Sequence, residues 1–302
     1  MIVCVAPNPS IDKTFAVERL EPGAIHRPVS FVQVPGGKGL NVARAAAGLG
    51  ADVRVVALLG GHQGRWIAHE LETHGLALTL VWHEGETRSC LSVAEGQSGS
   101  LTEFYEDGPR VDAGSWQALV QRVAESAADA SWVTVSGSLP PGAPEEGYAQ
   151  LIQGERFVLD APRLEGTRPA LVKVNDREAA AIIGRPVDTL PCALAAAQEI
   201  HERVGGGGKA VIVTRGPAGA LLLDPDGLQW HGHVDVSGPY PVGSGDAFLA
   251  GLVVALERGA TWPDGLKAAL GAGAANAELP GAGRLERRRA EQLADRARIV
   301  HA

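Results

Sequence analysis

A short polar cluster late in the chain has the composition of an anion-binding turn. Gly243, Ser244, Gly245 and Asp246 are consecutive, and the stretch 247–256 that follows is apolar nearly throughout. Such a stretch predicts a buried helix. Glycine lets the backbone approach a ligand, and the unpaired first N–H groups of a helix attract phosphate. The cluster therefore predicts a phosphate site beside the Asp246 carboxylate, although an ordinary turn with an aspartate N-cap shows the same pattern.

A second glycine-rich turn lies far upstream and also precedes an apolar helical pattern. Residues 35–41 read Pro-Gly-Gly-Lys-Gly-Leu-Asn, and a helix is predicted from Asn41 onward. In this order, the two turns resemble the paired signatures of the ribokinase-like (PfkB-type) carbohydrate kinases. The resemblance extends from Asn8 to Gly283 and is closest to the hexose-phosphate branch of that family.

The resemblance implies transfer of the ATP γ-phosphoryl group to a sugar hydroxyl, with Mg²⁺ as the metal. This reaction depends on positioning and charge neutralisation more than on covalent chemistry by the protein. Asp246 is the implied base, and the N–H groups of Gly243, Ser244, Gly245 and Asp246 are the implied donors to the moving phosphoryl group. Because a helix dipole favours a charged carboxylate at its start, we expect Asp246 to be ionised at neutral pH.

Two other nucleotide-binding motifs are excluded by the sequence. A P-loop requires GxxxxGK[ST], but Gly37-Lys38 is followed by Gly39. The protein-kinase set requires HRD and DFG, and the sequence contains neither tripeptide. The sequence is therefore neither that of a P-loop NTPase nor that of a protein kinase.

A pair of polar residues at a predicted helix start has two interpretations. Asn175 and Glu178 have the spacing of a capping box. The resemblance implies instead that the pair places Mg²⁺ beside the ATP phosphates, with Glu178 acting through water, since Mg²⁺ keeps several waters. The resemblance implies a wider nucleotide site that also includes Lys173, Thr214, Gly216, Gly219 and Asn276. Without it, residues 214–219 read as an ordinary hairpin turn.

The implied sugar site contains Asp12, Gly37, Lys38, Asn41, Arg88 and Ser138. Lys38, Arg88 and the nearby Arg27 are each typical of a solvated surface charge. On segments that the family folds around one pocket, they predict instead a clamp for a substrate phosphate, since Arg can bind two oxygens at once. We therefore expect a ketohexose phosphate acceptor, fructose 1-phosphate first, with tagatose 6-phosphate and fructose 6-phosphate left open.

Two alternative functions are distinguished by the same residues. A kinase for an unphosphorylated sugar or a nucleoside needs no cations near the acceptor, so Lys38 and Arg88 argue against it. A non-catalytic sugar or nucleotide sensor on this scaffold would be expected to lose the base, so Asp246 argues against that.

The fold class expected from the resemblance is α/β, a three-layer α/β/α arrangement with a mostly parallel central sheet and a small β-sheet lid. One domain over residues 1–302 is expected. Paired strand patterns without an intervening helix, within about 12–35 and 87–106, predict the lid. The segment 144–160 is shorter than is usual in the family, which predicts a clipped helix. From Glu286 to near the end, we expect helix.

Composition limits the partners and the location. A formal net charge of −8 argues against a nucleic-acid partner and requires a local cationic cluster to bind an anionic substrate. Cys4, Cys90 and Cys192 lack metal-ligand spacing, which indicates reduced thiols. Without a signal-peptide pattern or an apolar run of membrane-spanning length, we expect a cytoplasmic protein with no membrane partner. Exposed lid edges would favour a homodimer formed through the lid.

Overall fold

The structure is a computed structural model that describes residues 1–236 and 238–302. Among those residues, no helix combines the length and the apolar character needed to cross a membrane. The strands are β1 Ile2–Ala6, β2 Ser10–Val17, β3 Ser30–Gly36, β4 Val53–Gly60, β5 Ala77–His83, β6 Arg88–Glu95, β7 Leu101–Tyr105, β8 Trp132–Ser136, β9 Phe157–Asp160, β10 Leu171–Asn175, β11 Ala210–Thr214, β12 Ala220–Leu223, β13 Gln229–His233 and β14 Arg298–His301. The helices are α1 Lys38–Gly48, α2 Gly61–Thr73, α3 Ala113–Ala127, α4 Gly147–Leu151, α5 Asp176–Ile183, α6 Leu190–Arg203, α7 Ser244–Glu257, α8 Trp262–Ala277 and α9 Arg287–Arg296.

Ten strands form one large sheet in the order β14-β13-β12-β11-β10-β9-β8-β1-β4-β5. The strands from β5 to β11 in this order pair in parallel, and β12, β13 and β14 extend the sheet by antiparallel pairing. β1 is buried along its whole length, as expected for a parallel strand covered on both faces. Strand order reverses at β1, which lies between β4 and β8.

Helices cover both faces of the large sheet. Helices α1, α2, α7, α8 and α9 pack on one face, and helices α3 to α6 pack on the other. Because side chains alternate along a strand, Cys4 and Val5 of β1 belong to opposite cores. The predicted three-layer α/β/α fold with a mostly parallel sheet is confirmed.

A second, separate sheet has the order β3-β2-β6-β7. Strand β2 pairs antiparallel with β3 and parallel with β6, and β7 pairs antiparallel with β6. These strands coincide with the segments predicted for the lid. The edge strands carry exposed aromatic side chains, Phe31, Phe104 and Tyr105.

Two local predictions have different outcomes. Helix α4 has only 5 residues, as the shortened 144–160 segment predicted. The prediction of helix from Glu286 to near the end is wrong beyond Arg296, because Arg298–His301 forms β14 and pairs with β13. Four residues are too few to show a hydrophobic period, so this edge strand left no signal in the sequence.

The helices begin in two physically different ways. Several are capped by a side chain that accepts a hydrogen bond from the first turn: α3 by Asp112, α5 by Asn175, α6 by Thr189 and α8 by Thr261. Helices α1 and α7 begin at Gly37 and Gly243, with φ of 85° and 82°, and neither has a side-chain cap. Positive φ strongly favours glycine, and an uncapped helix start leaves N–H groups for a ligand.

Candidate active site

A cleft of about 830 Å³ opens at the carboxyl ends of the parallel strands. Asn8 follows β1, Ser138 follows β8, Asn175 ends β10 and Thr214 ends β11, and all four line it. This edge, near the point where strand order reverses, is where open α/β sheets bind ligands. The small sheet adds lining residues from β2, β6 and β7.

Most of the predicted site residues meet in this cleft. Its lining includes Gly243, Ser244, Gly245 and Asp246 of the predicted catalytic turn, Asp12, Gly37, Lys38, Asn41, Arg88 and Ser138 of the predicted sugar site, and Lys173, Asn175, Glu178, Thr214, Gly216 and Gly219 of the predicted nucleotide and metal sites. Arg27 and Asn276 are not among the lining residues.

Asp246 lies in the first turn of α7 and is buried at the cleft. Nδ2 of Asn41, on α1, donates a 2.8 Å hydrogen bond to Oδ2 of Asp246. The turn before Asp246 is tightly packed, since a Cβ on Gly243 would lie 2.6 Å from Cα of Ala282. The starts of α1 and α7 therefore meet at one carboxylate, which Asn41 orients.

Two of the four predicted N–H donors are free to bind an anion. The N–H of Ser244 donates to the carbonyl of Pro241 and that of Asp246 donates to the carbonyl of Gly243, both at 3.1 Å. Within residues 1–236 and 238–302, the N–H groups of Gly243 and Gly245 donate to no protein acceptor. The predicted set is therefore corrected to these two glycines, because the tight turn uses the other two N–H groups to close itself.

The protonation of Asp246 is controlled by burial more than by the helix dipole. Burial and the nearby Asp160 raise the pKa of Asp246 to about 6, against the opposing effects of Lys173, Lys38 and the Asn41 hydrogen bond. Asp246 is still expected to be ionised at neutral pH, but its pKa lies closer to neutral pH than the dipole argument predicted. The raised pKa also makes this carboxylate a stronger base than an exposed aspartate.

A buried carboxylate that the sequence analysis missed joins two lysines. Asp160, the last residue of β9, has no exposed side-chain surface; its Oδ1 lies 2.9 Å from Nζ of Lys38 and its Oδ2 lies 3.1 Å from Nζ of Lys173. Burial alone would raise the pKa of Asp160, but Lys173 and Lys38 outweigh it and hold the pKa below its ordinary value. The sequence did contain a signal for this residue, because an aspartate at the end of the apolar strand Phe157–Asp160 indicates a buried carboxylate.

Lys38 is neutralised by carboxylates on two elements. Its Nζ also lies 2.5 Å from Oε1 of Glu178, at the start of α5. Burial disfavours the Lys38 charge, but Asp160, Glu178 and Asp246 outweigh burial and raise its pKa. The prediction gave Lys38 and Arg88 one shared role, whereas the structure gives Lys38 anionic partners of its own.

The start of α5 shows that one carboxylate has two tasks. Oδ1 of Asn175 accepts from the N–H of Glu178 at 2.8 Å, and Oε2 of Glu178 accepts from the N–H of Asn175 at 2.9 Å. The capping-box interpretation is confirmed. The other oxygen of Glu178 contacts Lys38, so the same side chain also faces the cleft.

The charges at the cleft floor bear on metal binding. The carboxylates of Asp160, Glu178 and Asp246 outnumber the ammonium groups of Lys38 and Lys173 by one. In the part of the chain that the structure describes, no three His, Cys, Asp or Glu side chains form a cage for a metal ion. This arrangement fits Mg²⁺, which takes few protein ligands and retains several waters.

Asp12, on β2, is prepared to accept hydrogen bonds. Its Oδ1 accepts from Oγ of Ser10 at 2.6 Å, and its Oδ2 is 3.4 Å from the N–H of Gly37. Gly36 makes room for the carboxylate, since a Cβ there would clash with it. Burial raises the pKa of Asp12, although Ser10, Gly37 and Arg88 oppose that shift. The carboxylate is thus fixed at the cleft with capacity for further donors.

Arg88, at the start of β6, is held by backbone carbonyls. Its Nη1 donates to the carbonyl of Glu106 at 3.0 Å and its Nη2 donates to that of Asn8 at 3.1 Å. Its Nε is buried without a hydrogen-bond partner in the described residues, where the guanidinium also forms no salt bridge. Asn8, which the sequence analysis did not assign, also donates to Oγ of Ser138 at 3.1 Å. Arg88 therefore carries its positive charge at the cleft without a salt bridge in the described residues, with the Asp12 carboxylate as a nearby anion.

Two predicted contacts are not made in this chain. Arg27 is exposed in the loop between β2 and β3, which leads away from the cleft residues. Asn276 is fully buried; its Nδ2 donates to the carbonyl of Val242 at 2.9 Å and its Oδ1 accepts from the N–H of Gly283 at 2.8 Å. The prediction that Asn276 reaches the adenine is therefore corrected, because this side chain holds the loop before α7.

The end of the cleft beyond β11 is largely apolar. Its lining includes Pro217, Val234, Val236, Leu270, Ala274 and Ala277. The backbone of the adjoining turn is accessible at Gly216. This residue has a φ of 52°, and a Cβ built on it would meet no other atom within 4 Å. An apolar slot beside such a turn has the form expected for a flat ring followed by phosphates.

The fold and this site define the class of the protein. The model of the pfkB family of carbohydrate kinases matches residues 2–288. The chain belongs to that family.

The similar proteins narrow the class. The chain is 34% identical over 277 residues to the 1-phosphofructokinase of Haloferax volcanii, covering 88% of each chain. It is 33% identical over 274 residues to the 1-phosphofructokinase of Xanthomonas campestris pv. campestris, covering 86% of this chain and 85% of that one. Its fold matches a crystal structure of phosphofructokinase-2 from Escherichia coli in complex with potassium, with a TM-score of 0.88, 27% identity and 98% of both chains covered.

Proposed function

We propose that this protein is an ATP- and Mg²⁺-dependent kinase of a ketohexose phosphate, with fructose 1-phosphate as acceptor and fructose 1,6-bisphosphate as product. The names of its similar proteins support a sugar-phosphate acceptor. The observation that carries the proposal is the buried Asp246 carboxylate beside the free N–H groups of Gly243 and Gly245. A cytoplasmic location is part of the proposal, since free cysteines stay reduced there.

Asp246 is the proposed base for the attacking hydroxyl. The sugar oxygen bonds to the γ-phosphorus, the bond from that phosphorus to the β–γ bridging oxygen breaks, and ADP leaves with the electron pair. The hydroxyl proton passes to Asp246 late in the step. The N–H groups of Gly243 and Gly245 would bind the charge on the transferring group, and one such donor typically contributes about 3 kcal/mol.

Arg88 and Asp12 are the proposed determinants of the acceptor. A sugar hydroxyl can donate to the fixed carboxylate of Asp12. The charge of Arg88, which is held by backbone carbonyls, favours a phosphorylated sugar over a neutral one. Gly37, Asn41 and Ser138 line the same region and complete the proposed sugar site.

The apolar slot and the turn beside it are the proposed nucleotide site. Asn175, Thr214, Gly216 and Gly219 would lie along the phosphates, with Lys173 as their cation. Glu178 would hold Mg²⁺ through water, and the ion, when bound, would neutralise phosphate charge.

A homodimer through the small sheet is also proposed. The exposed Phe31 on β3 lies at one edge of the small sheet, and the exposed Phe104 and Tyr105 on β7 lie at the opposite edge, which a second copy would cover. Arg27 is on the loop preceding β3, so its predicted contact with a substrate would require a second chain or movement of that loop. Light scattering of the wild-type protein and a Phe104→Glu variant would test this, and a monomeric wild-type protein would contradict it.

A coupled ADP-release assay tests the function. The substrates are fructose 1-phosphate, fructose 6-phosphate, tagatose 6-phosphate, fructose and ribose, each with ATP and Mg²⁺. We expect the highest kcat/KM with fructose 1-phosphate. Faster turnover of fructose or ribose would contradict the phosphorylated acceptor.

Asp246→Asn provides the catalytic control. Loss of the base should lower kcat by about 10²- to 10⁴-fold, the usual range for general acid–base catalysis. The matched control is Asp264→Asn, since Asp264 is also the third residue of its helix, α8, but is exposed. Equal activity of both variants would refute Asp246 as the base, and no turnover by the wild-type protein would favour a non-catalytic sensor.

A further inference from the structure

Asp160 is a fully buried carboxylate to which the proposed reaction assigns no role. Both of its oxygens are used, one by Nζ of Lys38 and one by Nζ of Lys173. It is not itself a lining residue of the cleft, although both lysines are. A carboxylate that only neutralised a buried charge would need one cation, whereas this one holds two from different elements.

The two lysines lead from Asp160 to different parts of the site. Lys173 approaches the catalytic turn, because a Cβ on Gly245 would lie 3.1 Å from its Nζ. Within the described residues, Asp160 is the one carboxylate that forms a salt bridge with Lys173. Lys38, which is 30% exposed, has Glu178 as a second partner and can turn toward it.

We infer that Asp160 is a positioning residue that anchors both Lys38 and Lys173, so that the two ammonium groups face the phosphoryl group beside the free N–H groups of Gly243 and Gly245. The inference deepens the proposed kinase reaction and rests on it. Preorganised cations stabilise developing charge without reorganisation during the reaction, so their positions matter as much as their presence.

Replacement of Asp160 by asparagine would disrupt this anchor selectively. The amide has a similar shape but a single oxygen acceptor, and its NH₂ group cannot accept from an ammonium group. Lys38 would then turn to Glu178, and Lys173 would lose its anionic partner. The more conservative Asp160→Glu keeps the charge and both oxygens but displaces them by one methylene.

Steady-state kinetics of the two variants test the role. We expect kcat to fall about 100-fold in Asp160→Asn, the usual cost of one misplaced electrostatic group, and about 10-fold in Asp160→Glu. The KM values for both substrates should change by less than about 3-fold, since the effect is on the transition state. A folded Asp160→Asn variant with unchanged kcat would overturn the inference.

The pH profile separates positioning from a general loss of structure. The groups that act on Asp246 are Asn41 and Lys38 from α1, Arg44 from the same helix, Asp160 from β9 and Lys173 from β10. Removing the Asp160 charge removes a neighbour that raises the pKa of Asp246. The acid limb of kcat/KM should therefore move to lower pH in Asp160→Asn and stay in place in Asp160→Glu, and a limb that does not move in either would count against the anchor.

A measurement on the wild-type protein decides the matter if the variants do not fold. Lysine ammonium groups held by a buried carboxylate exchange slowly, so both should give ¹H–¹⁵N signals with coupling to the carboxyl carbon of Asp160. Absence of that coupling for either lysine would overturn the anchor. Because this experiment needs no turnover, its result is independent of the assay with sugar phosphates, so the two proposals can fail separately.

Discussion

Lys38 and Arg88 line the same cleft, but different groups contact their positive charges. Lys38 lies at the floor, where Asp160 and Glu178 contact its Nζ at 2.9 and 2.5 Å. Arg88 lies at the base of the small sheet, where the carbonyls of Asn8 and Glu106 accept its hydrogen bonds. The first cation is paired with two carboxylates in salt bridges, and the second is oriented by backbone carbonyls, with Asp12 as a nearby anion but no salt bridge in the described residues.

This difference divides the predicted phosphate clamp into two functions. A cation already paired with two carboxylates has little net charge to offer a substrate phosphate at rest, but the two pairs fix its position beside the proposed site of phosphoryl transfer. A cation bound only to carbonyls still attracts an anion strongly. Arg88 is therefore the better candidate for selecting the acceptor, and Lys38 for lowering the barrier.

The largest effect that separates the two cations is expected at Lys38. In Lys38→Met, kcat should fall about 10²- to 10³-fold, since a preorganised electrostatic group is lost. The KM for fructose 1-phosphate should change less than about 3-fold, because the side chain is already neutralised at rest. Steady-state kinetics provide the check, with the exposed Lys267→Met on α8 as the matched control. A rise in the KM for fructose 1-phosphate at constant kcat would instead support the original prediction that Lys38 binds the substrate phosphate.

The next largest effect is expected at Arg88. In Arg88→Ala, the KM for the phosphorylated sugar should rise about 10- to 100-fold, which corresponds to the loss of a charged hydrogen-bonding group. The KM for ATP should remain within about 2-fold, and the preference for fructose 1-phosphate over fructose should fall by the same factor as the affinity. The control is Arg122→Ala, an exposed arginine on α3. An unchanged KM would mean that another group selects the phosphate.

The sequence identified the backbone of this site better than its charge network. Glycine-rich turns before apolar helices have a local signature, so the two turns that precede α1 and α7 were predictable, although α1 starts at Lys38, three residues before the predicted start at Asn41. The Asp160 contacts were not, because they join β9 to α1 and β10 across residues far apart in the chain. Asn276 was misassigned for a related reason, since only the folded loop shows that its amide is consumed by Val242 and Gly283.

A smaller effect should appear at Asn41, which touches the base but neither cation. Its Nδ2 donates to Asp246, and that bond lowers the pKa of the carboxylate. The proposed reaction requires Asp246 to be ionised, so kcat/KM should decline as pH falls through about 6 in the wild-type protein. In Asn41→Ala, the decline should begin up to about one pH unit higher. In Arg88→Ala, the pH at which kcat/KM declines should not change. An equal shift in both variants would mean that the residues at the cleft floor and Arg88 at the base of the small sheet affect Asp246 alike.

The smallest effect concerns stability and has the opposite sign to activity. The folded-state pKa of Asp246, about 6, lies above the ordinary value of 3.8. A raised carboxylate pKa favours the folded protein when the group is protonated, and this contribution is lost as pH rises through about 6. Asp246→Asn cannot ionise, so its Tm should exceed that of the wild-type protein by a few degrees above pH 7, and the difference should disappear as pH falls from about 6 to 3.8. Thermal unfolding across that range is the measurement, with Asp264→Asn expected to show no gain. A lower Tm for Asp246→Asn at high pH would show that the attraction of Lys38 and Lys173 for this carboxylate outweighs the cost of burying its charge.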